Sequence, residues 1–339
     1  MFKLHTFSRI KKIVLFVFIA AFAVFTSIKL HRIDSYLRAA VKTTKQFSPA
    51  QITCQFEPNP AWDVKVPDDL FTFVNVITQQ PFHYLAKGFQ AYAFLSQDGE
   101  YVLKFFQQQR LREKSFKEYP FAYLFSKDFH QKAVLTKNHR IEIFSGSKLV
   151  FEEAREECGF LFVHLNQTQN LLRGIRLVDA QGQSHKIKAD QVSFIVQRRA
   201  NYVLPTINEL MKKNDLNGAK CRLDQIFDLL LTLAHKGIVD GDHALIRNNN
   251  IGFVKDRAIY IDTGHVSKTP NLDIRKHMDY EFKKRLKPLQ DWLKINYPEL
   301  AQYYEERSTA IMLSLQNEPK STQNTNMATN ASVHAPLAQ

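Results

Sequence analysis

The stretch from residue 233 to residue 264, LAHKGIVDGDHALIRNNNIGFVKDRAIYIDTG, constrains the fold of this chain more than any other feature. It reads as the end of a helix, a short apolar run, an Asp-rich loop, a strand, a tight turn, a second strand and Asp-Thr-Gly. Such a hairpin holds one Asp on the loop before it and another just after it. The sequence therefore predicts that acidic and amide side chains converge at one end of the hairpin.

Two carboxylates and a carboxamide that converge on one point are what phosphoryl transfer requires. One acidic group orients the attacking hydroxyl, while the amide and the second carboxylate hold Mg²⁺ on the phosphates. The stretch therefore indicates a phosphate-handling site.

These residues resemble the catalytic core of the protein-kinase-like superfamily. The segment 234–242 (AHKGIVDGD) is similar to the family's helix–His–x–x–Gly–Ile–Val–His–x–Asp sequence, with Asp240 in the usual His position. The Gly between the last two Asp is similar to the aminoglycoside-phosphotransferase branch. The resemblance implies that Asp242 is the catalytic Asp. It also implies that Asn250 and Asp262 are the metal ligands, with Asp-Thr-Gly where the family has Asp-Phe-Gly.

The upstream order also resembles the family. Gly88, just before a predicted strand, resembles a reduced glycine-rich loop, and Lys104, in the following strand, resembles the Lys that pairs with the nucleotide phosphates. The Glu partner of that Lys is expected from a helix predicted over 147–157, with Glu153 and Glu157 as the alternatives. The implied ligands are ATP and Mg²⁺.

The motifs cover residues 82–265 in the family's order but depart from its pattern. Seven residues separate Asp242 from Asn250 where the family has four, Asn248 would leave five, and Asp240 is an alternative base. The loop before the second strand keeps one glycine, which weakens phosphate binding by backbone N–H groups. The hypotheses are a kinase acting on a hydroxyl acceptor, a membrane-tethered pseudokinase that acts as an interaction module, and a basic membrane-surface protein without a nucleotide site.

The fold class predicted from this order is α+β, a two-lobed protein-kinase-like fold with a reduced C-terminal lobe, preceded by one N-terminal transmembrane helix. Only about fifty residues after Gly264 are expected to be ordered, which favours a small-molecule, lipid or glycan acceptor over a folded protein. The predicted parts are the basic flank and membrane helix (1–30), a juxtamembrane linker (31–80), the N-lobe (81–200), the C-lobe (201–316) and a disordered tail (317–339).

Local patterns predict the elements around these motifs. Two β-rich runs joined by Asp98-Gly99 are typical of a hairpin, and apolar residues at 3.6-residue spacing that end at Gly237 indicate an amphipathic helix. The predicted elements are strands over 91–95, 101–106, 175–178 and 192–196, a hinge over 197–200, and helices over 147–157, 218–236 and within 274–316.

An uncharged apolar run covers residues 13–28 and has basic residues on both sides. Its sixteen residues would make a helix of about 24 Å, and flanking lysines extend that reach toward the thickness of a bilayer. A single-pass membrane anchor of undetermined orientation is expected, because no small-residue cleavage pattern follows the run. A cleaved signal peptide and a buried core helix are the alternatives.

The charge and the cysteines exclude several classes of protein. Seven basic residues and one Asp in residues 1–40 leave 7 − 1 = +6 of the formal net charge of +13, and the rest is spread thinly. No basic–aromatic nucleic-acid module is present in the sequence, so no nucleic-acid partner is expected. The three cysteines lack the spacing of a zinc site or a disulfide framework.

Overall fold

The computed structural model describes residues 47–111, 126–241, 245–246 and 249–317. The described chain from Pro49 onward belongs to one unit of structure. The predicted membrane helix over 13–28, Asp242 and the tail beyond residue 317 lie outside the described residues. In the part of the chain that the structure describes, no helix combines the length and the apolar character needed to cross a bilayer.

The described strands form one large mixed sheet and two small sheets. The large sheet has the order β4-β7-β3-β2-β1-β5-β6, and its pairs are antiparallel except for β1 with β5. The small sheets are β11-β10-β8 and β12-β9. The strands are β1 (Phe82–Lys87), β2 (Ala91–Ser96), β3 (Tyr101–Phe106), β4 (Phe160–His164), β5 (Ile175–Val178), β6 (Ser184–Ile187), β7 (Phe194–Arg198), β8 (Asn201–Tyr202), β9 (Ile238–Asp240), β10 (Ile251–Val254), β11 (Arg257–Tyr260) and β12 (Val266–Lys268).

In the sequence, helices occur before the strands of the large sheet, between them and after them. The described α-helices are α1 (Asp68–Ile77), α2 (Gln108–Leu111), α3 (Ser126–Glu153), α4 (Val203–Lys212), α5 (Leu216–His235), α6 (Ile274–Tyr280), α7 (Lys287–Asn296) and α8 (Pro298–Asn317). A π-helical turn over Glu281–Arg285 joins α6 to α7. The helix α3 packs on both β4 and β12, and so connects the large sheet with the smallest one.

The hairpin β2–β3 shows how the local sequence makes the sheet. Inward residues of β2 alternate with half-exposed ones, which is the period of a strand with one covered face. The turn uses Asp98, whose carboxylate accepts from the backbone of Glu100, and Gly99, which has φ +78°. Because a side chain is disfavoured at that φ, glycine suits the turn.

The core of the helical part is built around α5. Asp215 caps its start by accepting from the backbone N of Gly218 at 2.8 Å, and Gly237, at φ +64°, follows its end. Phe227 of α5 makes edge-to-face contacts with Phe282 and Tyr304, with ring centroids 5.3 and 5.1 Å away. These rings fix α5 against the π-helical turn and α8.

The α+β class is confirmed, and several boundaries differ from those predicted. The helix predicted over 147–157 runs instead from Ser126 to Glu153, and the strand predicted over 192–196 is β7. The strand β4 was not predicted, and β5 pairs with β6 rather than leading directly to β7. Residues 31–80, the predicted linker, contain α1 and two 3₁₀ turns.

Candidate functional site

The side chain of Lys104 connects the large sheet to the residues before Asp-Thr-Gly. Lys104 lies on β3, opposite Ile195 of β7, and its Nζ donates to the backbone O of Ile261 at 2.6 Å. Burial lowers the pKa of this ammonium group, while the nearby Asp262 carboxylate raises it. Lys104 therefore lies within electrostatic range of Asp262.

Asn250 also contacts Ile261, but through the backbone N of Ile261 rather than its O. The backbone N of Ile261 donates to the backbone O of Asn250 at 2.6 Å, which continues the pairing of Ile251 with Tyr260 across the β10–β11 hairpin. The Asn250 side chain is buried. Lys104 and Asn250 thus meet at the two backbone groups of Ile261, directly before Asp262.

Asp262 offers the oxygens that a hard cation prefers. Its Oδ1 accepts from the backbone N of Gly264 at 3.2 Å, and the residue is exposed, while Thr263 and Gly264 are buried. Magnesium is commonly held by one or two carboxylates together with substrate phosphates. The described residues contain no cluster of three or more acidic, His or Cys side chains that could hold a metal.

The other acidic candidate, Asp240, is occupied by a buried ion-pair network. Its Oδ2 accepts from Arg285 Nη2 at 2.7 Å and also from the Tyr260 hydroxyl. Arg285 donates to Glu281 through Nη1 at 2.6 Å, and the three charged side chains are almost fully buried. A carboxylate held in this way is a poor base for a substrate hydroxyl.

Neither predicted Glu partner of Lys104 lies beside it. Glu153 forms an ion pair with Lys268, and Glu157 forms one with Lys236 at 2.6 Å. The predicted helix ends at Glu153, so Glu157 lies in the turns that follow it. Among the ion pairs of the described residues, none includes Lys104.

The turn of α3 that meets the Asp-Thr-Gly segment has small residues instead of a carboxylate. A Cβ at Gly146 would lie 2.8 Å from the backbone O of Val266 and 3.4 Å from that of Thr263. The next residue, Ser147, is buried and donates to the backbone O of Ile143 at 2.7 Å. Glycine therefore permits a close approach of helix and loop at this point.

Gly88 lies in the turn between β1 and β2. Its backbone N donates to Ala91 O at 2.9 Å, and its O accepts from Gln107 Nε2 at 2.8 Å. A Cβ at Gly88 would come no nearer than 3.6 Å to its neighbours, so packing alone does not require glycine here. In the same turn, the Gln90 carboxamide lies where a Cβ of Gly264 would be, which places this turn over Asp-Thr-Gly.

Sequence reasoning did not foresee the contacts of two residues at the site, Gln197, which it assigned only to a hinge, and Arg285. Gln197 of β7 donates through Nε2 to the backbone O of Cys158 at 2.7 Å and to those of Tyr260 and Ile261 at 3.2 Å. A Gln inside the apolar run FIVQR was a usable signal, because buried amides need partners. Arg285, in contrast, follows two lysines in KKR and could not be distinguished from surface charge.

Comparisons with known proteins find similarity among solved structures. No family model and no curated protein matches the chain. Among solved structures, the chain is similar to the bifunctional kinase-methyltransferase WbdD, with 14% identity and a TM-score of 0.29 over 70% of this chain and 44% of that one. It is also similar to WaaP in complex with acyl carrier protein, with 12% identity and a TM-score of 0.29 over 75% and 98% of the two chains.

A third similar structure is the GDP complex of an aminoglycoside 2′-phosphotransferase, with 13% identity and a TM-score of 0.24 over 73% and 97% of the two chains. The chain spans less than half the length of WbdD. At these identities the likeness to the three solved structures concerns the fold alone.

Proposed function

We propose that this protein is a phosphotransferase that moves the terminal phosphoryl group of ATP to a hydroxyl acceptor. The observation that carries the proposal is the convergence on Ile261. Lys104 donates to its O and Asn250 accepts from its N, both at 2.6 Å, and Asp262 is the next residue. The Lys104 ammonium on β3 and the two ends of the β10–β11 hairpin, with the backbone of Asn250 at one end and the exposed Asp262 at the other, therefore lie close together.

Each residue of this chain has a distinct role in the proposed reaction. Lys104 and the β1–β2 turn with Gly88 would bind the nucleotide phosphates, and Asn250 and Asp262 would hold Mg²⁺, which would supply positive charge against the phosphates. Asp242 orients the acceptor hydroxyl and takes its proton. The acceptor oxygen forms a bond to the γ-phosphorus, and the bond to the bridging oxygen breaks to release ADP.

The acceptor is proposed to be a small molecule, a lipid or a glycan. Beyond Asp-Thr-Gly, the described chain provides only β12, α6, the π-helical turn, α7 and α8. These elements leave little surface for a folded protein substrate. Residues 13–28 are proposed as a membrane anchor, on the basis of their apolar character and basic flanks.

The test is a comparison of Asp262→Asn with Asp256→Asn in the full chain. Asp256 lies exposed on the turn of the same β10–β11 hairpin, so the two changes remove the same charge from one element. ATP–Mg²⁺ binding by calorimetry and ATP turnover are expected to fall for Asp262→Asn and to stay unchanged for Asp256→Asn. Equal binding and turnover in both variants and the parent would refute the proposal.

A second candidate function is a non-catalytic nucleotide-binding module. It is favoured by the helix turn at Gly146, where α3 meets the Asp-Thr-Gly segment without a carboxylate, and by the bond of Lys104 to a backbone carbonyl. This candidate predicts ATP binding without turnover in the parent protein. Turnover that is lost in both Asp242→Asn and Asp262→Asn would exclude it.

A further inference from the structure

The β1–β2 turn, at residues 88–90, lies shut against the Asp-Thr-Gly segment. A Cβ at Gly264 would lie 2.5 Å from both Cδ and Nε2 of Gln90, so the Gln90 carboxamide rests directly on this glycine. The same Nε2 lies 3.4 Å from Nε2 of His265. Gly264 is buried although His265, the next residue, is exposed. Gln90 therefore covers the glycine of Asp-Thr-Gly.

A buried glutamine holds the turn in this position. Gln107 directly follows β3, the strand that carries Lys104. Its Nε2 donates to the backbone O of Gly88 at 2.8 Å and to that of Phe89 at 3.3 Å, and its backbone N donates to Gln90 O at 2.8 Å. All three carbonyl groups of the turn are thus bound by one residue, through contacts that do not involve the Gln90 side chain.

The turn itself is suited to movement. Gly88 has no positive φ, and a Cβ there would come no nearer than 3.6 Å to a neighbour, so the shut position does not require glycine. The conformational freedom of glycine is therefore available for a second position of the turn. Phe89, at the tip, is 65% exposed, and segments that bury little apolar surface move at low cost.

A nucleotide bound at the proposed site needs the space that the turn closes. In the proposed function, its phosphates lie between the turn on one side and Lys104 and Asp262 on the other. The Gln90 carboxamide fills part of this space, because it rests on the segment directly after Asp262. Its contact with His265 is long for a hydrogen bond, whereas phosphate oxygens form strong charge-assisted bonds with a lysine. A nucleotide is therefore able to displace the carboxamide.

We propose that the β1–β2 turn is a lid, and that Gln90 keeps it shut until a nucleotide displaces the carboxamide from Gly264 and His265. This inference rests on the proposed phosphotransferase function. The shut position lowers the apparent affinity for ATP, because the observed dissociation constant is the intrinsic one divided by the fraction of open molecules. Gln90 thus opposes the binding that Lys104 favours.

Gln90→Ala is the first test, because it removes the carboxamide and keeps the backbone bonds to Gln107. Loss of one ordinary hydrogen bond should shift the lid toward its open position and tighten ATP–Mg²⁺ binding to the full chain, measured by calorimetry, about twofold to tenfold. The matched control is Gln181→Ala, which changes an exposed glutamine in the β5–β6 turn and should leave the affinity unchanged. An affinity equal to or weaker than that of the parent in Gln90→Ala would overturn the proposal.

The movement itself is measured by pulsed electron paramagnetic resonance between two spin labels. One label is attached to Phe89→Cys, at the tip of the turn, and the other to the native Cys221, which is exposed on α5. Cys54→Ser removes a second, partly accessible thiol. Saturating ATP–Mg²⁺ should change the distances of this pair, whereas a label at Glu100→Cys, on the β2–β3 turn, should keep its distance from Cys221. Unchanged distances at Phe89→Cys with ATP bound would contradict the lid.

Failure of the lid and failure of the proposed function give different results. If neither the parent nor Gln90→Ala binds ATP–Mg²⁺, the nucleotide site is refuted and the lid with it. If both bind ATP–Mg²⁺ with equal affinity and the label at Phe89→Cys does not move, nucleotide binding stands and the lid alone is refuted.

Discussion

At the scale of single residues, the environment of Lys104 differs from that of a lysine on the protein surface. A lysine on a strand is ordinarily solvated, but the Lys104 ammonium donates to Ile261 O at 2.6 Å. Burial lowers its pKa against the opposing influence of Asp262. The proposed binding of an anionic ligand would give this cation the ion pair that it lacks. The two predicted glutamate partners, by contrast, are engaged with other lysines.

Lys104→Met and Glu153→Gln are therefore expected to behave differently. Loss of a charged hydrogen bond to a phosphate should weaken ATP binding about tenfold in Lys104→Met. Glu153→Gln removes only an exposed pair with Lys268, so ATP affinity should be unchanged and stability should fall by about 1 kcal/mol or less. Calorimetric titration with ATP–Mg²⁺ checks both. A comparable loss of affinity in Glu153→Gln would show that this carboxylate does reach the nucleotide.

At the scale of elements, the site depends on how the small sheets are held. The buried Arg285 joins β9, β11 and the π-helical turn, through Asp240, the Tyr260 hydroxyl and Glu281 respectively. The strand β9 leads into the loop of Asp242, and β11 leads into Asp262. The network therefore holds the ends of β9 and β11 to the π-helical turn.

Arg285→Met should destabilise the protein by about 3 kcal/mol or more, because it leaves two buried carboxylates without their cation. Arg307→Met is the matched control. Arg307 pairs with Asp224 at 2.8 Å, but both side chains are partly exposed, so the expected cost is about 1 kcal/mol or less. Urea unfolding of the two variants measures the difference. Similar midpoints would contradict the structural role of Arg285.

The contact between β10 and β8 also requires a specific residue. A Cβ at Gly252 would lie 2.7 Å from the backbone O of Asn201 and 2.9 Å from the Ala200 Cβ. Gly252→Ala should therefore separate the strands and cost about 1–3 kcal/mol. Gly88→Ala, where a Cβ would meet nothing closer than 3.6 Å, should leave the free energy of unfolding nearly unchanged. Chemical denaturation compares the two, and equal stability would rule out the close approach at Gly252.

At the scale of the whole molecule, buried histidines should make stability depend on pH. Burial lowers the pKa of both His164 and His277, and the Arg285 charge lowers that of His277 further. Below the ordinary histidine pKa of about 6.5, the unfolded chain therefore binds protons that the folded chain does not. Stability should consequently decrease as the pH falls below that value.

The pH prediction is checked by thermal unfolding between neutral and mildly acidic pH, with His277→Gln as the variant. His277 faces Glu281 at 3.4 Å, and Gln keeps a donor there without titrating. The variant should lose less stability on acidification than the parent. A steeper dependence in His277→Gln would mean that His277 is protonated in the folded protein.

The sequence alone was enough to predict those elements that depend on residues close together in the chain, such as turn residues and regularly spaced apolar residues. The Asp98-Gly99 hairpin, β5, and the end of α5 before Gly237 follow from turn chemistry and apolar spacing, which act over one or two turns of chain. The site motifs could be recognised for the same reason, because Asp-Thr-Gly and its hairpin are contiguous. Their roles as ligands and base are still predictions.

Only the tertiary structure decided which of these residues meet. Glu153 and Glu157 were reasonable partners for Lys104 by sequence order, but the direction of a helix and its end depend on packing against β12. Asp240 and Arg285, 45 residues apart, pair because β9 and the π-helical turn enclose the same core. In this protein, turn residues and apolar spacing determine local conformation, whereas long-range packing and the cost of burying charge determine which Asp, Lys and Gln form the site.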